Sequence, residues 1–331
     1  MADLKTKYMG LELRSPIIAG SCGLTSDVEK MVEMEKAGVG AVVLKSIFEE
    51  QINEETSGVF KAGYGMSDAY PEAEDYIKAY IRSNTIQKYV ELVRNAKSRL
   101  TIPVIASVNC FSGGEWVSFA RQLEEAGADA LELNVFILPV NEFKESAEVE
   151  NVYFEIVKSI KSQIKIPVSI KISHYFTNLS AFVDKIKAYG ANATTLFNRF
   201  YEPDININTL EMGAASVFST AAELRTTLRW TGILAGKDKK LEISASTGVH
   251  GGEAAVKLLL AGATTVQVCS VLYEKGIHVI EDINNFIGKW MDSKAFKTIG
   301  DYRGMLSYSS IENPDLYERA QFMKYFSNKQ Y

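Results

Sequence analysis

The stretch Leu241–Gly276, LEISASTGVHGGEAAVKLLLAGATTVQVCSVLYEKG, decides how the rest of the chain reads. Its apolar start predicts a strand over Leu241–Ala245, followed by a small-residue turn over Ser246–Gly252. A helix over Glu253–Leu260 and a second strand over Thr264–Cys269 complete it. Gly248, Gly251 and Gly252 stand just before the helix, so several backbone N–H groups can point at one spot where the helix dipole also favours negative charge. Cys269–Ser270 brings a second set of amides to the same end of the sheet. Two consecutive βα turns converging on an anion are the phosphate site of the last strands of a (β/α)8 barrel. An ordinary glycine-rich turn is the plainer alternative for this segment alone.

The rest of the chain repeats the pattern. Four apolar runs begin at or near a proline or a charged loop: Ser15–Ser21, Ile102–Asn109, Ile166–Ser173 and Leu241–Thr247. Four others follow a helix that ends in a glycine turn: Lys36–Lys45, Glu125–Asn134, Tyr189–Asn198 and Ala261–Ser270. The two kinds alternate, which makes eight βα units. The runs are near-continuously apolar, as expected of parallel strands covered on both faces. Helix starts agree: Ser26–Glu29 reads as a capping box, Ser112 or Gly113 as the cap of Glu115–Ala126, and Asn178 or Ser180 as the cap of the helix running to Ala188. The expected fold is therefore α/β, a (β/α)8 TIM barrel spanning 1–331 as one domain, with a doubly wound open sheet as the alternative. Insertions are expected at the C-terminal ends of strands 2, 4 and 6: Ser46–Ser83, Val135–Ala147 and Asn198–Ala214. Ile277–Trp290 and Pro314–Phe326 read as helices at the barrel rim.

Composition narrows the class. The 331 residues are 47% hydrophobic and 23% charged, with 36 Lys+Arg against 41 Asp+Glu and a net charge of −5. No basic block is interleaved with aromatics, which argues against nucleic acid, and no apolar run is long enough for a membrane span. With no leader-like h-region at the N-terminus, a cytoplasmic protein is expected. Cys22, Cys110 and Cys269 match neither a disulfide framework nor a metal pattern; Cys22 and Cys110 each read as a packed or turn-lining thiol, with a reactive thiol as the alternative.

The predicted strand ends carry the chemistry. In order they are Ser21, Lys45, Asn109, Asn134, Lys171 or Ser173, Asn198, Ser246–Thr247 and Cys269–Ser270, all polar or cysteine. A lysine in a greasy run needs an anionic or electron-rich partner, so Lys45 and Lys171 ask for a ligand. Pairing with a neighbouring acid such as Glu132 is the alternative. Asparagine offers donor and acceptor together, which suits a flat ring with alternating C=O and N–H groups. A phosphorylated, flat, carbonyl-bearing ligand has the form of flavin mononucleotide (FMN), whose reduced ring a lysine would stabilise.

These motifs resemble the dihydroorotate dehydrogenase family from Met9 to about Gly276. SPIIAGSCG is similar to the family's first strand, Lys45–Ser46 to its flavin–pyrimidine contact, SVNCFSGGEW to its third βα turn, Leu133–Asn134 to its substrate-binding dipeptide and KISHYF (Lys171–Phe176) to its strand-five lysine segment. The resemblance implies FMN contacts at Ala19, Gly20, Ser21, Lys45, Asn109, Asn134, Lys171, Asn198, Thr247, Gly248, Val249, Cys269 and Ser270. It also implies catalytic roles for Lys45, Lys171, Asn134 and Asn198, a small-molecule substrate and a homodimer. An electron-transfer partner would have to carry any iron–sulfur centre, because no such cysteine cluster exists here.

The chain departs from the family at the base. Val135-Phe136-Ile137-Leu138-Pro139 stands where the family carries Ser-Cys-Pro-Asn, so Ile137 replaces the residue that takes the substrate proton. Tyr64–Tyr70 replaces the asparagine-rich substrate loop, and Arg199 replaces a small residue after Asn198. Cys110 and His174 are the substitute bases, His174 with a catalytic role, and Arg199 can hold a substrate carboxylate. Of the other histidines only His250 is expected near the strand ends. Three functions compete: an FMN-dependent dehydrogenase of dihydroorotate or a related cyclic substrate, a flavin-binding protein without turnover, and a phosphate-binding lyase or aldolase with a Schiff-base lysine.

Overall fold

The computed structural model of the chain describes residues 2–48, 71–109 and 113–319, with the backbone alone for 71–83 and 113–116. An antiparallel hairpin, β1 (Thr6–Tyr8) and β2 (Leu11–Leu13), precedes β3 (Ile17–Ala19), β4 (Ala41–Val43) and the short β5 (Ile47–Phe48). β6 (Val104–Asn109), β7 (Ala130–Asn134), β8 (Val168–Ile172) and β9 (Ala193–Leu196) follow. A second hairpin, β10 (Pro203–Asn206) and β11 (Glu211–Ala214), separates them from β12 (Glu242–Ala245) and β13 (Thr265–Val268). The helices are α1 (Val28–Lys36), α2 (Pro71–Arg99), α3 (Gly113–Glu125), α4 (Ser146–Lys161), α5 (Leu179–Ala188), α6 (Leu224–Lys237), α7 (Gly252–Ala261), α8 (Ser270–Lys275), α9 (Val279–Ser293) and α10 (Asp315–Glu318).

The strands form a ring in the order β3, β4, β6, β7, β8, β9, β12, β13, every neighbouring pair parallel. Pairing of Val266 with Ile17 closes β13 onto β3, so the open-sheet alternative is excluded. The glycines that end α1, α3, α5 and α7 all adopt left-handed φ: Gly38 +93°, Gly127 +96°, Gly190 +111° and Gly262 +121°. A residue with a Cβ is strained there, which is why each return turn into a strand carries glycine.

Side chains at the N-terminal ends hold the strands in register. Asp129 accepts from the Val104 amide at 2.7 Å and meets Lys97 Nζ at 2.7 Å, which ties α2 to β6. Glu124 accepts from the Ile166 amide and Asn192 from the Val168 amide, each satisfying a donor at the entry to β8. Tyr8 and Leu13 pack among the inward-facing Ile18, Ala41, Val43, Ile105, Ala130 and Ala193, so the first hairpin plugs this end of the barrel.

The barrel interior is polar in its upper part. Above the plug, Ser107, Glu132, Ser169, Thr195, Ser244, Thr265 and Gln267 are all buried. The inward face is polar toward the C-terminal ends, and the aliphatic side chains of the runs face the helices.

The insertions take different forms. β5 and α2 occupy the described parts of the first, whose residues 49–70 lie outside the described residues. The second is irregular until α4, and the third builds the exposed β10–β11 hairpin. Of the helix expected over Pro314–Phe326, α10 covers four residues, and 320–326 lie outside the described residues. Ser112 also lies outside them, and α3 starts at Gly113.

The first cap is corrected by one residue. Asp27, not Ser26, caps α1, its side chain accepting from the Glu29 and Lys30 amides, while Ser26 donates its hydroxyl to the Gly23 carbonyl. A carboxylate at this position also faces the helix dipole favourably, so Asp27 gains where Ser26 would gain less. Asn178 caps α5 as expected. Asp27→Ala is expected to lower the unfolding free energy by ~1 kcal/mol in urea titration, with Ser26→Ala costing clearly less. Equal losses would reject the assignment of the cap.

Candidate active site

β8 carries Lys171 inward near its C-terminal end, where the residue is 8% exposed. Its Nζ donates to Gln267 Oε1 at 3.2 Å and lies 3.9 Å from Glu132 Oε1. Glu132 is 1% exposed, and its Oε2 accepts from Gln267 Nε2 at 2.7 Å and from Thr195 Oγ1 at 2.8 Å. The acid pairing considered for lysine in the sequence is therefore present at Lys171. It does not close the site: Lys171 and Gln267 both line a cavity of about 520 Å3 above the barrel core. A buried ammonium with a carboxylate on one side and a cavity on the other is a cation held ready for an electron-rich ligand.

One wall of the cavity is the turn after β12. Thr247 at φ +80° and Gly248 at φ +78° are consecutive left-handed residues, which turn the chain sharply at the end of β12. Gly248 is required by space as well as by φ, because a Cβ there would stand 2.2 Å from the Leu224 amide nitrogen. The Gly248 N–H points at the Ser219 hydroxyl, 3.4 Å away, and the Ser270 hydroxyl accepts from the Ser219 amide at 3.0 Å. Ser219 Oγ also lies 3.1 Å from Ser270 Oγ and 3.4 Å from His250 Nε2. The two turns thus converge on one oxygen atom, which here is a serine hydroxyl.

The opposite wall holds amides with unmet needs. Asn134 Oδ1 on that wall, and Asn109 Oδ1 beside it across β6 and β7 but not on the cavity surface, are buried with no hydrogen-bond partner among the described residues. Unsatisfied buried carbonyls of this kind are costly unless a ligand meets them. Asn198 lines the cavity from the third insertion, its Nδ2 donating to the Lys171 carbonyl at 3.4 Å. Ser21, Ser46 and Ser107 form a hydroxyl chain at 3.0 and 2.7 Å that fastens the turn after β3 to β6.

A second cavity of about 430 Å3 shares Phe197, Asn198, Arg199 and Thr247 with the first. Its aromatic wall is built by Phe136 and Phe200, stacked at 4.0 Å, with Tyr175 5.4 Å from Phe200 and His174 5.6 Å from Phe197. Partial burial pushes the His174 imidazole below its ordinary pKa, which favours the neutral ring. Arg199 is committed elsewhere: Glu223 lies 3.3 Å from its Nε and Glu202 3.4 Å from its Nη2, so its charge is already answered. Ile137 is on neither cavity. Its amide donates to Tyr153 Oη at 3.1 Å, and its side chain lines a small separate pocket with Tyr153 and Phe176.

Of the sequence-derived residues, Ser21, Lys45, Asn134, Lys171, Asn198, Thr247, Gly248, Val249, Cys269 and Ser270 line the first cavity, and His174 lines the second. Lys45 is on the rim and exposed, not buried as its apolar flanks suggest. Ala19 is turned into the outer core, and Gly20 lies behind the wall, where a Cβ would come within 2.9 Å of Cys269 Sγ. Cys110 and Tyr64–Tyr70 lie outside the described residues. Sequence reasoning missed Gln267, Ser219, Phe218 and Tyr273 as wall residues. Gln267 was legible by the same rule as Lys171, a polar residue inside the apolar run TVQVC. Ser219 carries no local signal, since it lies in the irregular loop between the third insertion and α6.

The dihydroorotate dehydrogenase family model matches residues 3–291. The chain belongs to the dihydroorotate dehydrogenase family. It is 30% identical over 311 residues to the dihydroorotate dehydrogenase B (NAD(+)) catalytic subunit of Thermoplasma acidophilum, covering 92% of this chain and 99% of the relative. The subunit of the same name from Thermoplasma volcanium is 27% identical over 326 residues, covering 92% and 99%. That from Pyrococcus furiosus is 26% identical over 322 residues, covering 92% and 98%. This dihydroorotate dehydrogenase family member is an oxidoreductase acting on CH–CH donors. Among the described residues no helix is long and apolar enough to cross a membrane.

The turn after β12 supplies a direct test of the cavity wall. Gly248→Ala is expected to cost roughly 2 kcal/mol or more from left-handed strain and the contact with Leu224. Gly251→Ala, in extended backbone with nothing within 4 Å of the new Cβ, should stay within about 0.5 kcal/mol in thermal unfolding.

Proposed function

We propose that the chain binds FMN in the first cavity and oxidises dihydroorotate, or a closely related cyclic substrate, in the cytoplasm. The observation that carries the reading is the coincidence in one cavity of an anion-directed turn pair, a buried lysine and the unpartnered Asn134 carbonyl. These are the groups that a phosphate tail, an electron-accepting ring and a ring N–H require. Gly248, Val249 and Ser270 would hold the phosphate, with the Gly248 N–H and the Ser270 hydroxyl giving up Ser219 as their partner. Lys171 would lie at the ring's electron-rich edge, Asn109 and Asn134 would meet its polar edge, and Lys45 would reach it from the rim.

The chemistry supplied by bound FMN is acceptance of a hydride at N5. The chain's own part is to position the substrate and remove a proton. CH–CH oxidation takes a hydride from one carbon and a proton from its neighbour, so a proton acceptor is needed. Ile137 is unable to serve, by chemistry and by position. His174, neutral through partial burial and lining the cavity that meets the first at Asn198, is the acceptor in this reading. The stacked Phe136 and Phe200 favour a substrate with a flat apolar face, which supports a related cyclic substrate as the second reading.

A Schiff-base lyase is disfavoured. An amine nucleophile needs neighbours that strip its proton, by desolvation or by another cation, whereas Lys171 faces Glu132. The relatives are named as catalytic subunits, which supports an electron-accepting partner subunit, and a homodimer accords with the exposed Ile205, Ile207, Leu210 and Met212 on the second hairpin.

The purified protein is expected to be yellow and to bleach on anaerobic addition of dihydroorotate. A protein that dithionite bleaches and dihydroorotate does not would overturn dihydroorotate as substrate while leaving FMN in place. His174→Gln should bind FMN normally and lose about 10²-fold or more in the rate of bleaching. An unchanged rate would remove His174 from proton transfer.

A further inference from the structure

Cys22 and Cys269 come from opposite ends of the chain and meet on the wall of the first cavity. The Cys269 thiol reaches the turn that carries Cys22: its Sγ lies 3.5 Å from the Ser21 carbonyl oxygen, one residue before Cys22. Both are free and only partly buried. Neither thiol has a part in the reaction proposed above, where Cys269 lends at most its backbone.

We propose that Cys22 and Cys269 form a reversible dithiol–disulfide pair, oxidised by small-molecule disulfides that reach the half-buried Cys22 from solvent. The chemistry of the two sulfurs differs in the sense such a pair requires. Cys22 is held down to about 6, first by the hydrogen bond from Cys269 and then by the Thr25 and Leu24 amides and Tyr273, against the effect of burial. It is the nucleophile at neutral pH. Cys269 is pushed up, first by that same hydrogen bond, then by burial and by the Cys22 charge, so it waits as the protonated partner.

The steps balance. The Cys22 thiolate attacks one sulfur of the small disulfide, its S–S bond breaks, and the released thiolate takes a proton from water. Cys22 now carries a neutral mixed disulfide, which removes the negative charge that kept Cys269 protonated. Cys269 gives its proton to solvent, attacks the Cys22 sulfur and expels the second small thiolate, which is protonated in turn. The Cys22 thiolate and the Cys269 thiol are oxidised and one small disulfide is reduced to two thiols, with one proton taken up from water because Cys22 starts deprotonated. The new bond joins the turn after β3 to the end of β13, on the wall that also carries Ser270.

The test uses the full chain with oxidised glutathione at pH 7, followed by alkylation and non-reducing peptide mass spectrometry. The expected result is a Cys22–Cys269 cross-linked peptide and loss of two of the three thiols, both reversed by dithiothreitol. Cys110→Ser should still form the cross-link, and Cys269→Ser should accumulate glutathione on Cys22. Iodoacetamide labelling of Cys22 should rise with a midpoint near pH 6. A glutathione adduct that persists on Cys22 of the unaltered chain overturns the proposal, as does a cross-link to Cys110 or three unreacted thiols. A labelling midpoint above pH 8 overturns the assignment of Cys22 as the attacking thiolate.

Discussion

A lysine inside a barrel must be answered by charge, and at Lys171 that constraint organises everything above the barrel floor. Glu132 from β7 provides the countercharge, Gln267 from β13 bridges the two, and Thr195 from β9 satisfies the carboxylate from the far side. Four strands that are not all neighbours, β7, β8, β9 and β13, are thereby coupled around one buried carboxylate. Removing one member would leave the others uncompensated, a situation that costs several kcal/mol when fully buried. What the network leaves over is one face of the ammonium, open to the cavity. The same residues that make the interior tolerable therefore make the site.

The two ends of the barrel divide the work. At the N-terminal end Asp129, Glu124 and Asn192 meet strand amides, and Tyr8 closes the floor among aliphatic side chains. Asp129, Glu124 and Asn192 spend these bonds on the chain's own backbone, which suits stability. At the C-terminal end Asn109 and Asn134 keep an unmatched carbonyl, Thr247 holds a left-handed φ, and Ser219 is interposed between two turns. Those groups are less than fully satisfied, as expected of a surface that has to receive a ligand.

The fold was legible because its signals are local. A proline or charged loop opens one set of strands, a glycine closes the helix before the other, and left-handed φ at Gly38, Gly127, Gly190 and Gly262 is the physical reason for the second signal. Strand ends were legible too, since a polar residue in an apolar run is conspicuous, and most of them reach one cavity. What local reading misjudged was direction and reach. Lys45 has apolar neighbours before it in sequence yet projects to solvent at the rim, and Ala19 presents its methyl to the helices. The polar layer of Ser107, Ser169, Ser244 and Thr265 was hidden because short parallel strands with aliphatic outer faces read as apolar throughout. Ser219 reaches the site from an irregular loop and the aromatic pair Phe136–Phe200 through long insertions, whose course no periodicity records.

The central claim is that the open face of Lys171 and the turn after β12 serve one ligand, and a crystal structure of the chain loaded with FMN tests it most directly. The account predicts Lys171 Nζ and Asn134 Oδ1 within about 3 Å of polar atoms of the ring, and the phosphate between Gly248 and Ser270 with Ser219 displaced. A phosphate bound elsewhere, or a Lys171 that still bonds only Gln267 with the ligand in place, would contradict it.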